Sequence, residues 1–148
     1  MKTNKHLVIL ADDDPDDREL FRDAVAEIDA EVRIMILEDG MGLMDYLTAE
    51  NAKLPDILFL DINMPLKDGF DCLREIRASE RLKELCVIMF STSYGRYDVD
   101  KSYDLGADGY IQKPFTQVEM LNVLQRTLET DWKDPCAALD RHSFVIQA

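Results

Sequence analysis

The chain has 148 residues and a formal net charge of −13, because 30 Asp and Glu outnumber 17 Lys and Arg. This length fits one domain with a real core, and 47% hydrophobic with 32% charged residues is ordinary for a globular protein. The acidic balance argues against a function that depends on binding nucleic-acid phosphates or an anionic membrane surface.

The cysteines and the N-terminus indicate the compartment. Cys72, Cys86 and Cys136 are odd in number, widely spaced and lack a CxxC pattern, which favours reduced thiols over disulfides or a zinc site. The first apolar run, Leu7 to Ala11, is too short for a signal peptide or a membrane span. We therefore expect a cytoplasmic protein.

The chain begins with a strand, a turn and a helix. The continuous apolar run Leu7 to Ala11 is typical of a strand buried on both faces. Asp14 before Pro15 predicts a helix N-cap, and Asp16 and Asp17 suit the positive end of the helix dipole. The helix then presents an apolar face made of Leu20, Phe21, Ala24, Val25 and Ile28.

The same unit is repeated four more times. Further strands are predicted at Arg33 to Leu37, Ile57 to Leu60, Val87 to Phe90 and Gly109 to Gln112. The helices that follow them are marked by Leu43, Met44 and Leu47, by Phe70, Leu73 and Ile76, by Val99 and Tyr103, and by Val118, Leu121, Leu124 and Leu128. Five such units predict an α/β fold, a five-stranded parallel sheet with helices on both faces.

Acidic pairs follow the first two strands. Glu38 and Asp39 after the second strand are interpreted as loop residues before the next helix. Asp12 and Asp13 are different, because helix initiation does not account for them and two adjacent carboxylates repel each other. This pair is expected to need a cation.

With Glu38 and Asp39 assigned to a loop, the other four predicted strands each bring a polar side chain to the carboxyl edge, where ligands bind in such a sheet. These side chains are Asp12 with Asp13, Asp61, Ser91 and Lys113. The three carboxylates and one ammonium sum to −2, the charge that one divalent cation would cancel. At ~4 Å and an effective dielectric of ~20, each unneutralised carboxylate pair costs about 4 kcal/mol. Oxygen ligands with room for water and phosphate oxygens suit Mg²⁺.

These groups together suit phosphoryl transfer to or from an aspartate. Asp61 is the predicted nucleophile, and Asp12 and Asp13 are the predicted metal ligands. Lys113 would pair with one phosphoryl oxygen, and the Ser91 hydroxyl would donate a hydrogen bond to another.

Four motifs carry a resemblance to a known family. They are Asp12-Asp13, Leu60-Asp61-Ile62-Asn63-Met64-Pro65 with Asp68-Gly69, Ser91-Thr92-Ser93, and Gly109-Tyr110-Ile111-Gln112-Lys113-Pro114-Phe115. In this order, at strand ends, they resemble a response-regulator receiver domain of the chemotaxis-regulator kind over about residues 6 to 129. The resemblance implies a flavodoxin-like strand order 2-1-3-4-5.

The resemblance also implies a signalling reaction. A histidine kinase or phosphotransfer protein would donate a phosphoryl group to Asp61. Mg²⁺ would be bound by Asp12, Asp13, Asp61 and the backbone carbonyl of Asn63. The chain is thus expected to be a phosphoacceptor switch in a two-component system or phosphorelay, and not an enzyme beyond its own phosphorylation and dephosphorylation.

A conformational switch is implied as well. The Ser91 hydroxyl would move toward the phosphoryl group and Tyr110 would turn inward behind it, which would remodel the face made by helix four, strand five and helix five. An aromatic in a strand is more often simple packing than a switch, but the position of Tyr110 three residues before Lys113 reverses that preference. The resemblance also implies a cis Lys113–Pro114 bond, which would aim the lysine into the site.

Two residues depart from relatives that dephosphorylate rapidly. Thr92 is bulkier than the small residue often found beside the switch hydroxyl, and Ser93 lacks the acid or amide that helps to place a hydrolytic water. These departures predict slow loss of the phosphoryl group.

The receiver domain is assigned to residues 1–130 and a tail without an output domain to residues 131–148. We therefore expect a stand-alone receiver, monomeric or dimeric on phosphorylation, that acts on another protein. Trp132 and Phe144-Val145-Ile146 are expected to pack on their own domain, and His142 to be a surface histidine.

Two other functions fit part of the sequence. Haloacid-dehalogenase-type phosphatases place similar groups at strand ends, and Asp12-x-Asp14 followed by Ser91 and Lys113 mimics their order. That alternative lacks a late acidic metal motif and a substrate-selecting cap, and it gives Asp61 no role. A receiver-like module that binds partners without phosphorylation is disfavoured because the set of site residues is complete.

Overall fold

A computed structural model describes residues 5–132 and 144–147 of the chain. Within these residues, five strands alternate with five helices. The strands are β1 (Leu7–Ala11), β2 (Arg33–Leu37), β3 (Ile57–Leu60), β4 (Val87–Ser91) and β5 (Gly109–Gln112). The helices are α1 (Pro15–Ile28), α2 (Gly40–Thr48), α3 (Gly69–Ala78), α4 (Arg96–Asp104) and α5 (Gln117–Glu129). None of the helices in this described part is long and apolar enough to cross a lipid bilayer.

The strands form one parallel sheet in the order β2-β1-β3-β4-β5, as the resemblance implies. The chain moves from β1 to β2 on one side and from β3 to β5 on the other, so the direction of winding reverses between β1 and β3. Ala11 and Leu60, the last residues of these two strands, are register partners. The residues that follow them therefore lie next to each other at the switch point, where ligands bind in such sheets.

Helices cover both faces of the sheet and create two apolar cores. Consecutive residues of β1 enter opposite cores: Ile9 packs with residues of α2 and α3, and Leu10 packs with residues of α1 and α5. In the second core Phe21, Phe59 and Phe90 meet edge to face, with ring centroids 5.0 to 6.2 Å apart. The sheet is thus the middle layer of three, and its strands are apolar because both faces are covered.

The predicted strand bounds agree with the structure at β1, β2, β3 and β5, while β4 continues one residue further to Ser91. The predicted apolar face of α5 was partly wrong, because Val118 is 65% exposed and Leu121 is only half-buried. The buried face is instead made of Met120, Val123, Leu124, Thr127 and Leu128. These five have the i, i+3, i+4, i+7, i+8 spacing of one helix face, whereas Val118 lies on the opposite side.

The described tail residues 144–147 lie along the free edge of β5. The N–H of Tyr110 donates to the Phe144 carbonyl at 3.1 Å, and the N–H of Ile146 donates to the Tyr110 carbonyl at 2.8 Å. Val145 forms a parallel bridge with Tyr110. The Phe144 ring is 1% exposed and lies 5.2 Å from the Tyr103 ring of α4 and 6.5 Å from the Tyr110 ring. The segment therefore adds a short strand beside β5.

The expectation that the tail packs on its own domain is confirmed for the described residues. Trp132 is half-buried, and its indole N–H donates to the Thr127 carbonyl at 3.0 Å. The expectations for Cys136 and His142 concern positions outside the described residues.

Candidate functional site

Two aspartates meet where β1 and β3 end. The N–H of Asp12 donates to the Leu37 carbonyl, and the N–H of Asp61 donates to the Ala11 carbonyl, both at 3.0 Å. These bonds continue the ladders of the sheet for one residue beyond the strands. The side chains of Asp12 and Asp61 are thereby held at the carboxyl edge, 0% and 5% exposed.

Lys113 reaches these carboxylates from the end of β5. Its N–H donates to the Ser91 carbonyl at 2.8 Å, and its side chain passes the Phe90 ring with Nζ 5.7 Å from the ring centroid. The Nζ atom then lies 2.8 Å from Asp12 Oδ2 and 3.0 Å from Asp61 Oδ2. The predicted convergence of the ammonium and the carboxylates is present, in a pocket where Lys113 is 5% exposed.

A third carboxylate, which the sequence pattern did not predict, also contacts this ammonium. Asp17 Oδ2 lies 2.9 Å from Lys113 Nζ, yet Asp17 was assigned only to helix initiation. The N-cap role of Asp14 is confirmed, because its side chain accepts from the N–H groups of Asp16 and Asp17. Side chains in a first helical turn tilt back toward the N-terminus, and α1 starts at the carboxyl edge, which is the signal that could have placed Asp17 in the site.

The peptide bond between Lys113 and Pro114 is trans, since the described residues contain no cis peptide bond. The expectation of a cis bond is therefore wrong for this structure. The trans form is the intrinsically favoured one for a bond that precedes proline.

Burial and charge shift the titration of the site in opposite directions. Burial raises the pKa of Asp12 from 3.8 to about 6, even though the Lys113 ammonium opposes that rise. Burial likewise raises the pKa of Asp61, again against the effect of Lys113. For Lys113, burial alone would lower the pKa, but the bonds to Asp12 and Asp17 and the charge of Asp61 raise it. One ammonium therefore does not fully offset the cost of burying these carboxylates in their charged form.

The carboxylates fit a bound cation. Asp12, Asp13 and Asp61 each offer an oxygen that lies within 4.8 Å of the other two, with Asp13 exposed to solvent. Asp12 Oδ2 is buried, and among the described residues its partner is the Lys113 ammonium, which it shares with Asp17 and Asp61. Three carboxylates that share one ammonium in a buried pocket keep a net negative charge, which is costly. An all-oxygen ligand set of this kind suits a hard divalent ion.

The loop after β3 is held against the start of α3. The N–H of Asn63 donates to Asp61 Oδ1 at 3.3 Å, and the N–H of Gly69 donates to the Ile62 carbonyl at 2.8 Å. A Cβ added at Gly69 would lie 2.2 Å from the Asp61 carbonyl oxygen, so only glycine permits this approach. Asp68 caps α3 by accepting from the N–H of Asp71. The close contact between this loop and the start of α3 thereby fixes the backbone of Asp61.

Ser91 and Tyr110 lie beside the site on β4 and β5, and both are 0% exposed. The Ser91 hydroxyl accepts from the N–H of Ser93 at 3.1 Å, and the Tyr110 hydroxyl donates to the Ser93 carbonyl at 2.7 Å. Burial raises the pKa of Tyr110, against hydrogen bonds with Ser91 and Ser93. The two predicted switch residues are therefore joined through the segment that follows β4.

A comparison with protein families gives one match for most of the chain. A model described as the response regulator receiver domain matches residues 8–125. Among curated proteins, the chain is similar to the response regulator Rcp1 of Synechocystis sp., with 29% identity over 130 residues, 85% of this chain and 88% of that protein. It is 30% identical over 124 residues to the chemotaxis protein CheY1 of Helicobacter pylori strain J99, which covers 84% of this chain and 98% of that protein.

Solved structures show the same similarity. The phosphorylated cyanobacterial phytochrome response regulator RcpA superposes with a TM-score of 0.77 at 32% identity, covering 82% of this chain and 90% of RcpA. The Mn²⁺-bound form of the response regulator Rcp1 superposes with a TM-score of 0.77 at 28% identity, covering 85% of this chain and 96% of Rcp1.

Proposed function

The chain belongs to the family of response regulator receiver domains, whose members act in two-component signalling, and we propose that Asp61 is its phosphoacceptor. The observation that carries this assignment is the position of Asp61 between a cation and further carboxylates. Its Oδ2 atom lies 3.0 Å from the Lys113 ammonium, and Asp12 and Asp13 offer oxygens within 4.8 Å. A carboxylate in such surroundings can act as a nucleophile whose product is stabilised by positive charge.

The reaction is the transfer of one phosphoryl group. A carboxylate oxygen of Asp61 forms a bond to phosphorus while the bond from phosphorus to a nitrogen of the donor's phosphohistidine breaks. The leaving nitrogen keeps the electron pair and takes a proton. The donor is a histidine kinase or a phosphotransfer protein. Catalysis by this chain consists of orienting the acceptor and neutralising the phosphoryl oxygens, with Lys113 and the Ser91 hydroxyl as the donors to those oxygens.

Mg²⁺ is the proposed metal, held by Asp12, Asp13, Asp61 and the backbone carbonyl of Asn63. The relative Rcp1 was crystallised with Mn²⁺, a divalent ion with a similar preference for oxygen ligands. The metal supplies positive charge for the phosphoryl oxygens. The buried Asp12 carboxylate shares the Lys113 ammonium with two other carboxylates, which supports its role as a ligand.

Phosphorylation is proposed to act on the surface formed by α4, β5 and α5 through Ser91 and Tyr110. Both side chains are bonded to Ser93, so a shift of the Ser91 hydroxyl toward a phosphoryl oxygen would alter the environment of the Tyr110 ring. The tail residue Phe144 covers part of this surface. A downstream protein would bind there, to a monomer or a phosphorylation-dependent dimer of this chain, in the cytoplasm.

The function is tested by incubating the purified protein with Mg²⁺ and acetyl phosphate and measuring its intact mass and oligomeric state. We expect one phosphoryl group per chain on the wild type and none on Asp61→Asn. An unmodified wild-type protein, or an undiminished adduct on Asp61→Asn, would overturn the assignment of Asp61. Multiple turnovers that Asp12→Asn abolishes and Asp61→Asn leaves intact would instead indicate the phosphatase alternative.

A further inference from the structure

We propose that Asp17 is a positioning residue that holds the Lys113 ammonium in place throughout phosphorylation, an inference that rests on the proposed function of Asp61. Lys113 Nζ has three carboxylate neighbours, at 2.8 Å in Asp12, 2.9 Å in Asp17 and 3.0 Å in Asp61. An ammonium has three N–H donors, so these neighbours can occupy all of them. The three carboxylates do not have equivalent roles.

Two of the three carboxylates change during the reaction. Asp12 and Asp61 belong, with Asp13, to the group whose oxygens are close enough to share a cation. A bound cation would neutralise part of the negative charge of Asp12 and Asp61. Phosphorylation would convert Asp61 from a carboxylate into an acyl phosphate. Asp17 is not a member of that group and does not react. It is the carboxylate whose contact with Lys113 can persist before, during and after the transfer.

The fold fixes the position of Asp17. It lies in the first turn of α1, where its N–H and that of Asp16 donate to the side chain of the N-cap Asp14. The helix packs against α5 on the same face of the sheet. Asp17 and Lys113 are 96 residues apart in sequence, so their contact joins the start of α1 to the end of β5.

Positioning matters here because lysine is a long side chain with many rotamers. Ordering such a side chain costs conformational entropy, and a fixed partner orders it before the phosphoryl donor binds. Lys113 is 5% exposed, so little solvent is present to replace a lost carboxylate. Without Asp17, the ammonium would keep only partners whose charge the reaction changes.

A purely electrostatic role would have the opposite effect. Asp17 adds a negative charge near the incoming phosphoryl group, so its removal would speed the transfer if repulsion dominated. The 2.9 Å contact favours positioning, since this Asp17 oxygen accepts a hydrogen bond directly from the Lys113 ammonium. Asp17→Asn separates the two effects, because it removes the charge and keeps an oxygen acceptor of the same shape.

The test measures the rate of phosphorylation of the full chain by acetyl phosphate while the concentration of Mg²⁺ is varied. Each variant yields a maximal rate and a half-saturating Mg²⁺ concentration. We expect Asp17→Ala to lower the maximal rate about tenfold and Asp17→Asn to stay within about threefold of the wild type. The half-saturating Mg²⁺ concentration should be unchanged in both, because Asp17 is not a proposed ligand.

Asp16→Ala and Asp16→Asn are the matched controls. Asp16 carries the same charge in the same turn of α1 and is exposed, so both variants should keep the wild-type rate. Far-ultraviolet circular dichroism checks that each variant is folded.

The outcomes separate this inference from the proposed function. An Asp17→Ala rate equal to that of the wild type, faster rates in both Asp17 variants, or an Asp17→Asn variant as slow as Asp17→Ala would overturn the positioning role while Asp61 remained the acceptor. A wild-type protein that takes up no phosphoryl group would overturn the proposed function, and this inference with it.

Discussion

The Lys113 ammonium lies 3.0 Å from the Asp61 carboxylate, although β5 and β3 are not neighbours in the sheet. Lys113 crosses the end of β4 and leaves Asp61 and Asp12 sharing one cation in a pocket that is almost closed to water. Because one ammonium neutralises only part of the charge of several carboxylates, the stability of the protein should depend on both pH and metal ions.

The first prediction concerns pH. Burial raises the pKa of Asp12 from its ordinary value of 3.8 to about 6, so between these values the folded state binds more protons than the unfolded state. The free energy of unfolding should therefore fall as pH rises from about 4 to about 6. Asp12→Asn should remove this contribution, on the order of 1–3 kcal/mol, and be more stable than the wild type at pH 7.

Urea denaturation of the wild type and Asp12→Asn between pH 4 and pH 7, with a chelator present, measures this effect. Asp13→Asn is the matched control, since Asp13 is the exposed neighbour of Asp12. An identical pH dependence in the wild type and Asp12→Asn would contradict the prediction.

The second prediction concerns metal binding. At pH 7, Mg²⁺ should stabilise the wild type, by about 2.7 kcal/mol when its concentration is one hundred times the dissociation constant. Asp12→Asn and Asp13→Asn should lose most of this gain, and Asp16→Asn should keep it. Thermal unfolding with and without Mg²⁺ measures the gain. An equal Mg²⁺ effect in Asp12→Asn and the wild type would show that the ion binds elsewhere.

The third prediction concerns the strand that the tail adds. Phe144→Ala should lower the free energy of unfolding by roughly 2–4 kcal/mol, because the ring is 1% exposed between α4 and β5. Phe115→Ala is the matched control, with a ring that is 86% exposed and a near-zero expected effect. Chemical denaturation compares the two variants, and equal effects would mean that the tail contributes nothing to stability.

The fourth prediction concerns the lifetime of the phosphorylated state. Ser93 offers no acid or amide to place a hydrolytic water, and its hydroxyl donates to Asp98. We expect the phosphoryl group on Asp61 to persist for minutes or longer after the donor is removed. Ser93→Asn should shorten this half-life and Ser93→Ala should leave it close to that of the wild type. Gel separation of the phosphorylated and unmodified forms follows the decay, and a wild-type half-life of seconds would refute the idea.

Strand positions and the convergence of Asp12, Asp61 and Lys113 could be predicted from the sequence. A parallel sheet covered on both faces requires continuous apolar runs, and these have sharp ends where a charge appears. The polar residue after each run then has one available location, the carboxyl edge of the sheet.

Other features depend on contacts that local patterns do not encode. The apolar residues of α5 fit two helix faces, and the packing against α1 selects the one that contains Met120 and leaves Val118 in solvent. The position of Asp17 in the first helical turn is explained by the helix dipole alone, so this local pattern gives no reason to expect its contact with Lys113. The pairing of the tail with Tyr110 joins segments whose relation no periodicity reveals.

The tail strand has a consequence for the behaviour of the protein at high concentration. An edge strand with unpaired N–H and C=O groups is a template on which other chains can add and aggregate. At Tyr110 both backbone groups are already bonded, to the Phe144 carbonyl and the Ile146 N–H. Residues 144–147 thus prevent other chains from pairing with this part of β5. Shortened forms of the chain that lack these residues should precipitate at lower concentrations than the intact chain.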